Sequence, residues 1–203
     1  NLCTRLSVIE VCKRFPEIPA RKIQQPIFIT GWYRSGTSYL HNLLATHPDV
    51  RIPLFWEVRY PCPNLNPRTA DPRRQIRKVK LETRFHRWLA PDFNDIHPMA
   101  PEKAEECLHL FEKACAGTTA FVITEAKSFA WQLLRQGMQQ AYEFYKIQLQ
   151  LLHWLRPGRR WVLKWPYHLW HLDDLLKTFP DAAVIQLHRN PHEAIPSVCS
   201  LAA

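Results

Sequence analysis

Glycine is scarce in this 203-residue chain: five glycines stand against 17 prolines. A glycine-rich linker or fibrous chain is thereby excluded. The six cysteines form no CxxC pair, which argues against a zinc knuckle, and their density is too low for a disulfide scaffold. They are expected to be mostly buried thiols. No apolar run reaches the roughly 18 residues that a membrane-spanning helix needs, and no leader peptide is recognisable. Internal repeats and composition shifts are also missing, so residues 1–203 read as a single domain. The chain starts at Asn1 and stops at "SVCSLAA", inside an apparent helix. The expectation is a segment of a longer protein, truncated at its C-terminus, with the cytoplasm as its compartment, or the Golgi lumen should an anchor precede it.

What is present is a globular composition. Hydrophobic residues make up 46% of the chain, with eight Trp and ten Phe, enough for a packed core. The formal net charge of +9 points to an anionic partner: a nucleic acid, a nucleotide, or a sulfated or phosphorylated small molecule. The densest basic run spans Arg68 to Arg87. Ile76, Val79, Phe85 and Trp88 fall between its charges, a spacing that suits an amphipathic helix with a solvated basic face. It shows none of the aromatic–basic alternation of a single-strand binding platform, and no nucleic-acid partner is expected.

Along the chain, residues 1–14 read as a helix, "QPIFIT" as a buried strand and "SGTSYLHNLLATHP" as a helix burying Tyr39, Leu40, Leu43 and Leu44 on one face. "RIPLFWEVRYPCPNLNP" reads as an irregular, proline-punctuated loop. Residues 71–90 read as the basic helix, "PDFNDIHPMAP" as a loop, "EKAEECLHLFEKACA" as a helix, and 131–155 as a long helix. "RRWVLKWP" and "AAVIQLHRNP" read as strands, with "HLWHLDDLLKTFP" and "HEAIPSVCSLAA" as helices after them. Buried, non-alternating strands separated by helices predict an α/β fold, a P-loop-like parallel sheet flanked by helices in three layers.

Gly31-Trp32-Tyr33-Arg34-Ser35-Gly36-Thr37-Ser38 follows a strand and opens a helix, the context a phosphate loop requires. Gly31 and Gly36 allow backbone angles and close approaches that side chains forbid. The helix start supplies free N–H groups and a positive dipole end. The spacing matches G-x-x-x-x-G-K-[ST] in both glycines and the final serine. Thr37 stands where the lysine belongs, however, and positive charge comes instead from Arg34, whose guanidinium can fork onto a phosphate. The other two strands end in Lys164 and in His188-Arg189, cations where a nucleotide-bound metal would call for carboxylates. An anion held by positive side chains without a metal is the expectation. Arg189 closes its strand, and Ser197 follows eight residues later in the next helix. Carboxyl ends of parallel strands are where open α/β sheets bind ligands, so Arg189 is a candidate for a second phosphate.

Taken together, "FITGWYRSGTSYLHNLLATHPDV" and "VIQLHRNPHEAIPSVCSL" resemble the two nucleotide motifs of the sulfotransferase family. "LKWPYHL" and "HRNP" look most like its broad branch of bacteria and some eukaryotes. The resemblance runs over residues 26–203. It implies a transferase that uses 3′-phosphoadenosine 5′-phosphosulfate, with Arg34, Ser35, Gly36, Thr37 and Ser38 on the 5′ side and Arg189 and Ser197 on the 3′-phosphate. It also implies a longer catalytic domain, whose adenine-contacting segment near the C-terminus is not in this chain.

Sulfuryl transfer resembles phosphoryl transfer in gathering charge on equatorial oxygens and on the leaving phosphate. Arg34 is the candidate for stabilising the leaving group, and Lys164 for the sulfuryl oxygens. The base that takes the acceptor proton is open at this point among Glu105, Glu106, His168 and His41. The adjacent carboxylates could split their pKa values, raising one toward neutrality. Glu57 is a candidate lining residue for the acceptor. The aromatic stretch Trp56–Tyr60 and Trp161, Trp165 and Trp170 hint at an apolar or ring-shaped acceptor, of small-molecule, carbohydrate or lipid class. Two rival readings stand beside this one: a P-loop kinase or nucleotide hydrolase, and a nucleotide-binding segment without activity.

Overall fold

The structure, a computed structural model, describes residues 1–62, 66, 69, 71–89, 99–119, 128, 131, 132 and 135–202, with side chains through 200. Arg68 and most of the expected loop 91–101 lie outside the described residues.

Among the described residues, three pentapeptides with apolar centres and one dipeptide build a single sheet: β1 (Ile27–Gly31), β2 (Val50–Arg51), β3 (Arg160–Lys164) and β4 (Ala183–Leu187). All described pairings are parallel, in the order β2-β3-β1-β4. In register, Ile29 lies opposite Lys164 on one side, while Gly31 lies opposite Leu187 on the other. The carboxyl ends of β3, β1 and β4 therefore open at one edge, with β1 in the middle. That is the crevice geometry in which doubly wound sheets hold ligands. β1 and β3 are buried nearly throughout, as continuous apolar runs demand. β4 is an edge strand of the described sheet and stays half-exposed, with Ile185 and Gln186 open.

The helices placed in full by the described residues are α1 (Leu2–Arg14), α2 (Thr37–Leu44), α3 (Phe55–Arg59), α4 (Pro72–Leu89), α5 (Leu108–Glu112), α6 (Gln139–Leu155), α7 (Leu172–Thr178) and α8 (Pro191–Ala202). A 3-10 turn, Pro166–Trp170, links β3 to α7. Among the described residues no helix is long and apolar enough to cross a membrane.

α6 is buried on two sides. Tyr142, Tyr145, Leu149 and Leu152 face the main core with Phe28, Phe111 and Trp165, while Phe144 and Leu151 meet Val8, Val11 and Ile18 beneath α1. Phe111 stacks on both Tyr145 and Trp165, with ring centroids 4.7 and 4.6 Å away. Truncating such a ring to alanine costs about 3–5 kcal/mol.

Several sequence expectations change. The proline-rich segment after α2 contains β2 and α3. Glu57, in the first turn of α3, reaches back with Oε2 to accept from the Leu54 amide at 3.0 Å, a cap that composition did not reveal. The helix expected at 102–116 is only α5, because residues before it pair as an extended segment: Leu54 bridges Ala104, and Glu105 N donates to Pro53 O. In α2 the apolar face turns outward. Thr37 and His41 are buried, whereas Tyr39 and Leu43 are exposed. In α4, Val79 is buried, Ile76 packs on the core, and Phe85 and Trp88 point to solvent. Those four positions lie on two opposite faces of a helix at 3.6 residues per turn, so one core could not take them all.

Candidate active site

The β1–α2 turn has the backbone of an anion cradle. Arg34 and Gly36 have φ of 65° and 92°, both left-handed, and Gly31 has φ of 147°. A Cβ on Gly31 would sit 2.5 Å from the Leu187 carbonyl, so only glycine lets β1 run this close to the end of β4. The first amides of α2 have no acceptor within the helix. The Ser35 hydroxyl is buried without a hydrogen-bond partner, an orphaned polar atom that an oxyanion in the turn would satisfy.

A second positive charge, beside that of Arg34, arrives from the neighbouring strand. Lys164, the last residue of β3, is almost fully buried, and its Nζ donates to Ser38 Oγ at 2.9 Å. The same ammonium pairs with the Glu106 carboxylate. Glu106 gets there because Cys107 N donates to Lys164 O at 2.9 Å, stitching the extended segment onto the end of β3. The turn, Lys164 and Glu106 thus form one polar chain, with Glu106 more open to solvent than Lys164. Glu105 is buried, and its Oε1 accepts from the Glu106 amide at 2.9 Å. Tyr33 faces the same chain: burial, then the Glu106 charge, pushes its phenol up to about 12.

The second motif reaches the first from β4 and α8. Arg34 Nε donates to Ser197 Oγ at 3.0 Å, and an Arg189 guanidinium N–H donates to the Arg34 carbonyl at 3.1 Å. Residues separated by more than 150 positions are thereby joined in one arm. Asn190 starts α8 by accepting from the His192 amide, a helix cap that fixes the angle of the arm. Arg189 also pairs with Glu193 at 3.0 Å.

The remaining candidates sit elsewhere. His168 is fully buried in an aromatic cage, edge-on to Phe28 and Trp165, with Nδ1 2.7 Å from the Tyr142 hydroxyl. Burial, then the neighbouring His171, pulls its pKa down to about 3. His41 is buried against β3, 3.2 Å from Val162 O; burial, then the Lys164 charge, holds it at about 4. Both rings are core imidazoles at neutral pH rather than groups at the crevice mouth. Glu57 is buried and held by Arg51 at 2.7 Å and Arg156 at 2.9 Å, in addition to capping α3. Trp161 and Trp165 are core residues, and Trp56 is buried. Only Trp170 of the expected tryptophans is open; it packs 5.7 Å from Trp32 of the turn. Tyr33, Trp32 and Glu193 carried no assignment in the sequence. Their positions inside the two motifs were the available signal.

A family model described as the sulfotransferase family matches residues 26–203. Two crystal structures are similar over 97% of the chain. One is a sulfotransferase of Mycobacterium tuberculosis, at 33% identity and a TM-score of 0.82. The other is a sulfotransferase of Mycobacterium avium, at 28% identity and a TM-score of 0.81. The chain covers 54% and 51% of those proteins, about half their length. No curated protein matches it.

Proposed function

Because the chain belongs to the sulfotransferase family, we propose that its carboxyl-edge crevice binds 3′-phosphoadenosine 5′-phosphosulfate and passes the sulfuryl group to an acceptor hydroxyl or amine. The observation that carries this reading is the meeting of the two motifs. Arg34 and Ser197 are hydrogen-bonded, and Arg189 lies on the Arg34 backbone. Two cationic arms at one sheet edge suit a ligand with phosphates at both ends of its ribose. The orphaned Ser35 hydroxyl and the glycine-dependent approach of β1 fit an oxyanion in the turn.

The donor supplies a sulfur that is attacked by the acceptor heteroatom while its bond to the 5′-phosphate oxygen breaks. The residues of this chain do the rest. Ser35, Gly36, Thr37 and Ser38 hold the 5′-phosphate through amides and hydroxyls, and Arg34 offsets the charge it gains on leaving. Lys164 sits between Ser38 and the carboxylate side, so it serves the sulfuryl oxygens as negative charge spreads over them. Arg189 and Ser197 hold the 3′-phosphate. Glu106 is the base we favour. It is the candidate most open to solvent, it is already anchored beside Lys164, and a carboxylate there can accept the acceptor's proton. His41 and His168 are enclosed, and Glu105 is occupied by the Glu106 amide.

The test is transfer of radiolabelled sulfate from the donor to a panel of phenols, sugars and lipid alcohols, in EDTA. Label appearing on at least one acceptor is the expected result. Phosphoryl transfer from ATP that requires magnesium, with no sulfate transfer, would assign the crevice to a kinase instead.

A further inference from the structure

α4 carries two faces with different jobs. Val79, Thr83 and Gln75 are buried, and Glu82 is tied to Tyr60 and to Arg59 on α3, the latter at 3.3 Å. Those contacts fix the helix to the body of the protein. On the far side, Leu81, Phe85, Trp88 and Leu89 are 65%, 58%, 76% and 58% exposed. Leu81, Phe85 and Trp88 recur at i, i+4 and i+7 and fall within a sector of about 60° at 3.6 residues per turn. Phe85 and Trp88 lie 6.0 Å apart, ring to ring. The helix holds seven Lys or Arg against a single carboxylate, Glu82, and that carboxylate is used inward. Arg73, Arg77, Lys80 and Arg84 run along one flank of the apolar stripe, whereas Lys78, toward the other, holds its Nζ over the Tyr60 ring, 4.1 Å from the centroid.

An outward apolar stripe bordered by cations is the pattern of a helix lying in a membrane interface. We propose that α4 docks the protein on the surface of an anionic phospholipid bilayer, with Leu81, Phe85 and Trp88 among the acyl chains and the flanking cations on lipid phosphates. A second copy of the chain would bring seven like charges against seven. A nucleic-acid backbone would meet the cations but leave Leu81, Phe85 and Leu89 without apolar partners. The lipid surface satisfies both. This inference is independent of the sulfuryl-transfer reading, because no residue of the crevice takes part.

The experiment is sedimentation of the chain with vesicles of phosphatidylcholine alone, and of phosphatidylcholine with one-third phosphatidylglycerol, at near-physiological salt. Binding to the anionic vesicles at least about tenfold tighter than to the neutral ones is expected. Leu81→Ser, Phe85→Ser and Trp88→Ser together should lower anionic-vesicle binding by at least about tenfold, with unchanged circular dichroism. Arg77→Gln, Lys80→Gln and Arg84→Gln should each lower it roughly fivefold. Failure of the parent chain to sediment with anionic vesicles would overturn the proposal. So would equal binding to both vesicle types, or a serine triple variant that binds like the parent while duplex DNA competes, which would assign the face to nucleic acid.

Discussion

The two halves of the crevice are built by opposite means. On the β3 side, Lys164 is buried, Ser38 and Glu106 are already bonded to it, and the extended segment behind Glu106 is stitched to the strand end. On the β4 side, Arg34 and Arg189 are exposed, and among the described residues their side chains bond to Ser197, to the Arg34 carbonyl and to Glu193. A buried charge must be paired within the fold, whereas an exposed one is free to exchange its partner for a ligand. Under the proposed function the β3 side serves the chemistry and Arg189 with Ser197 serve capture, while Arg34 joins the two. Substitutions on the first should remove turnover, and substitutions of Arg189 or Ser197 should weaken binding.

The largest effect is expected at Glu106, the proposed base. Glu106→Gln keeps the shape but cannot take a proton. Transfer at saturating donor should fall about 10²–10⁴-fold, with donor affinity unchanged by calorimetry. A variant that lost affinity and kept its maximal rate would erase the division between the two sides. Acid should damage the β3 side next. His41 and His168 are held at about 4 and about 3, below the ordinary 6.5. Between those values and 6.5 the unfolded chain binds protons that the folded chain refuses. Stability is therefore intact above about 6.5 and falls as pH drops through that window, by an amount on the order of a few kcal/mol. Denaturant midpoints measured across that pH range check it, and a flat profile would mean that neither ring is enclosed.

Smaller effects belong to the outer arm. Arg189→Ala should weaken binding of 3′-phosphoadenosine 5′-phosphate by roughly 1.5–3 kcal/mol, tenfold to a hundredfold, and leave the maximal rate in place. The smallest is Glu193→Ala. It frees Arg189 from an exposed i,i+4 pair worth at most about 0.5 kcal/mol, so calorimetry should detect nucleotide binding up to about twofold tighter.

The outer arm was the more legible half. Its signals are local: a G-x-x-x-x-G turn after an apolar run, and an arginine eight residues before a serine. The parallel sheet was legible for the same reason in β1, β3 and β4, each of which holds a short apolar run, whereas β2, only Val50–Arg51, was not. The β3 side depended on tertiary placement. Nothing near "EKAEECL" says that the segment pairs with Pro53 and Leu54 instead of coiling into a helix, yet that pairing is what carries Glu106 to Lys164. His168 and Glu57 look functional in one dimension because each is a polar residue beside a motif. Tyr142, 26 residues away, holds His168 in the core, and Arg156, 99 away, pairs with Glu57. The helical period of α4 was readable, but not which of its apolar positions the core would accept.

Calorimetric titration with 3′-phosphoadenosine 5′-phosphate in EDTA, beside the same nucleotide without its 3′-phosphate, tests the two-sided crevice most directly. Micromolar binding that drops at least about tenfold on losing the 3′-phosphate, with the drop abolished in Arg189→Ala, is the predicted result. Equal binding of the two nucleotides, or a drop that Arg189→Ala leaves untouched, would contradict it.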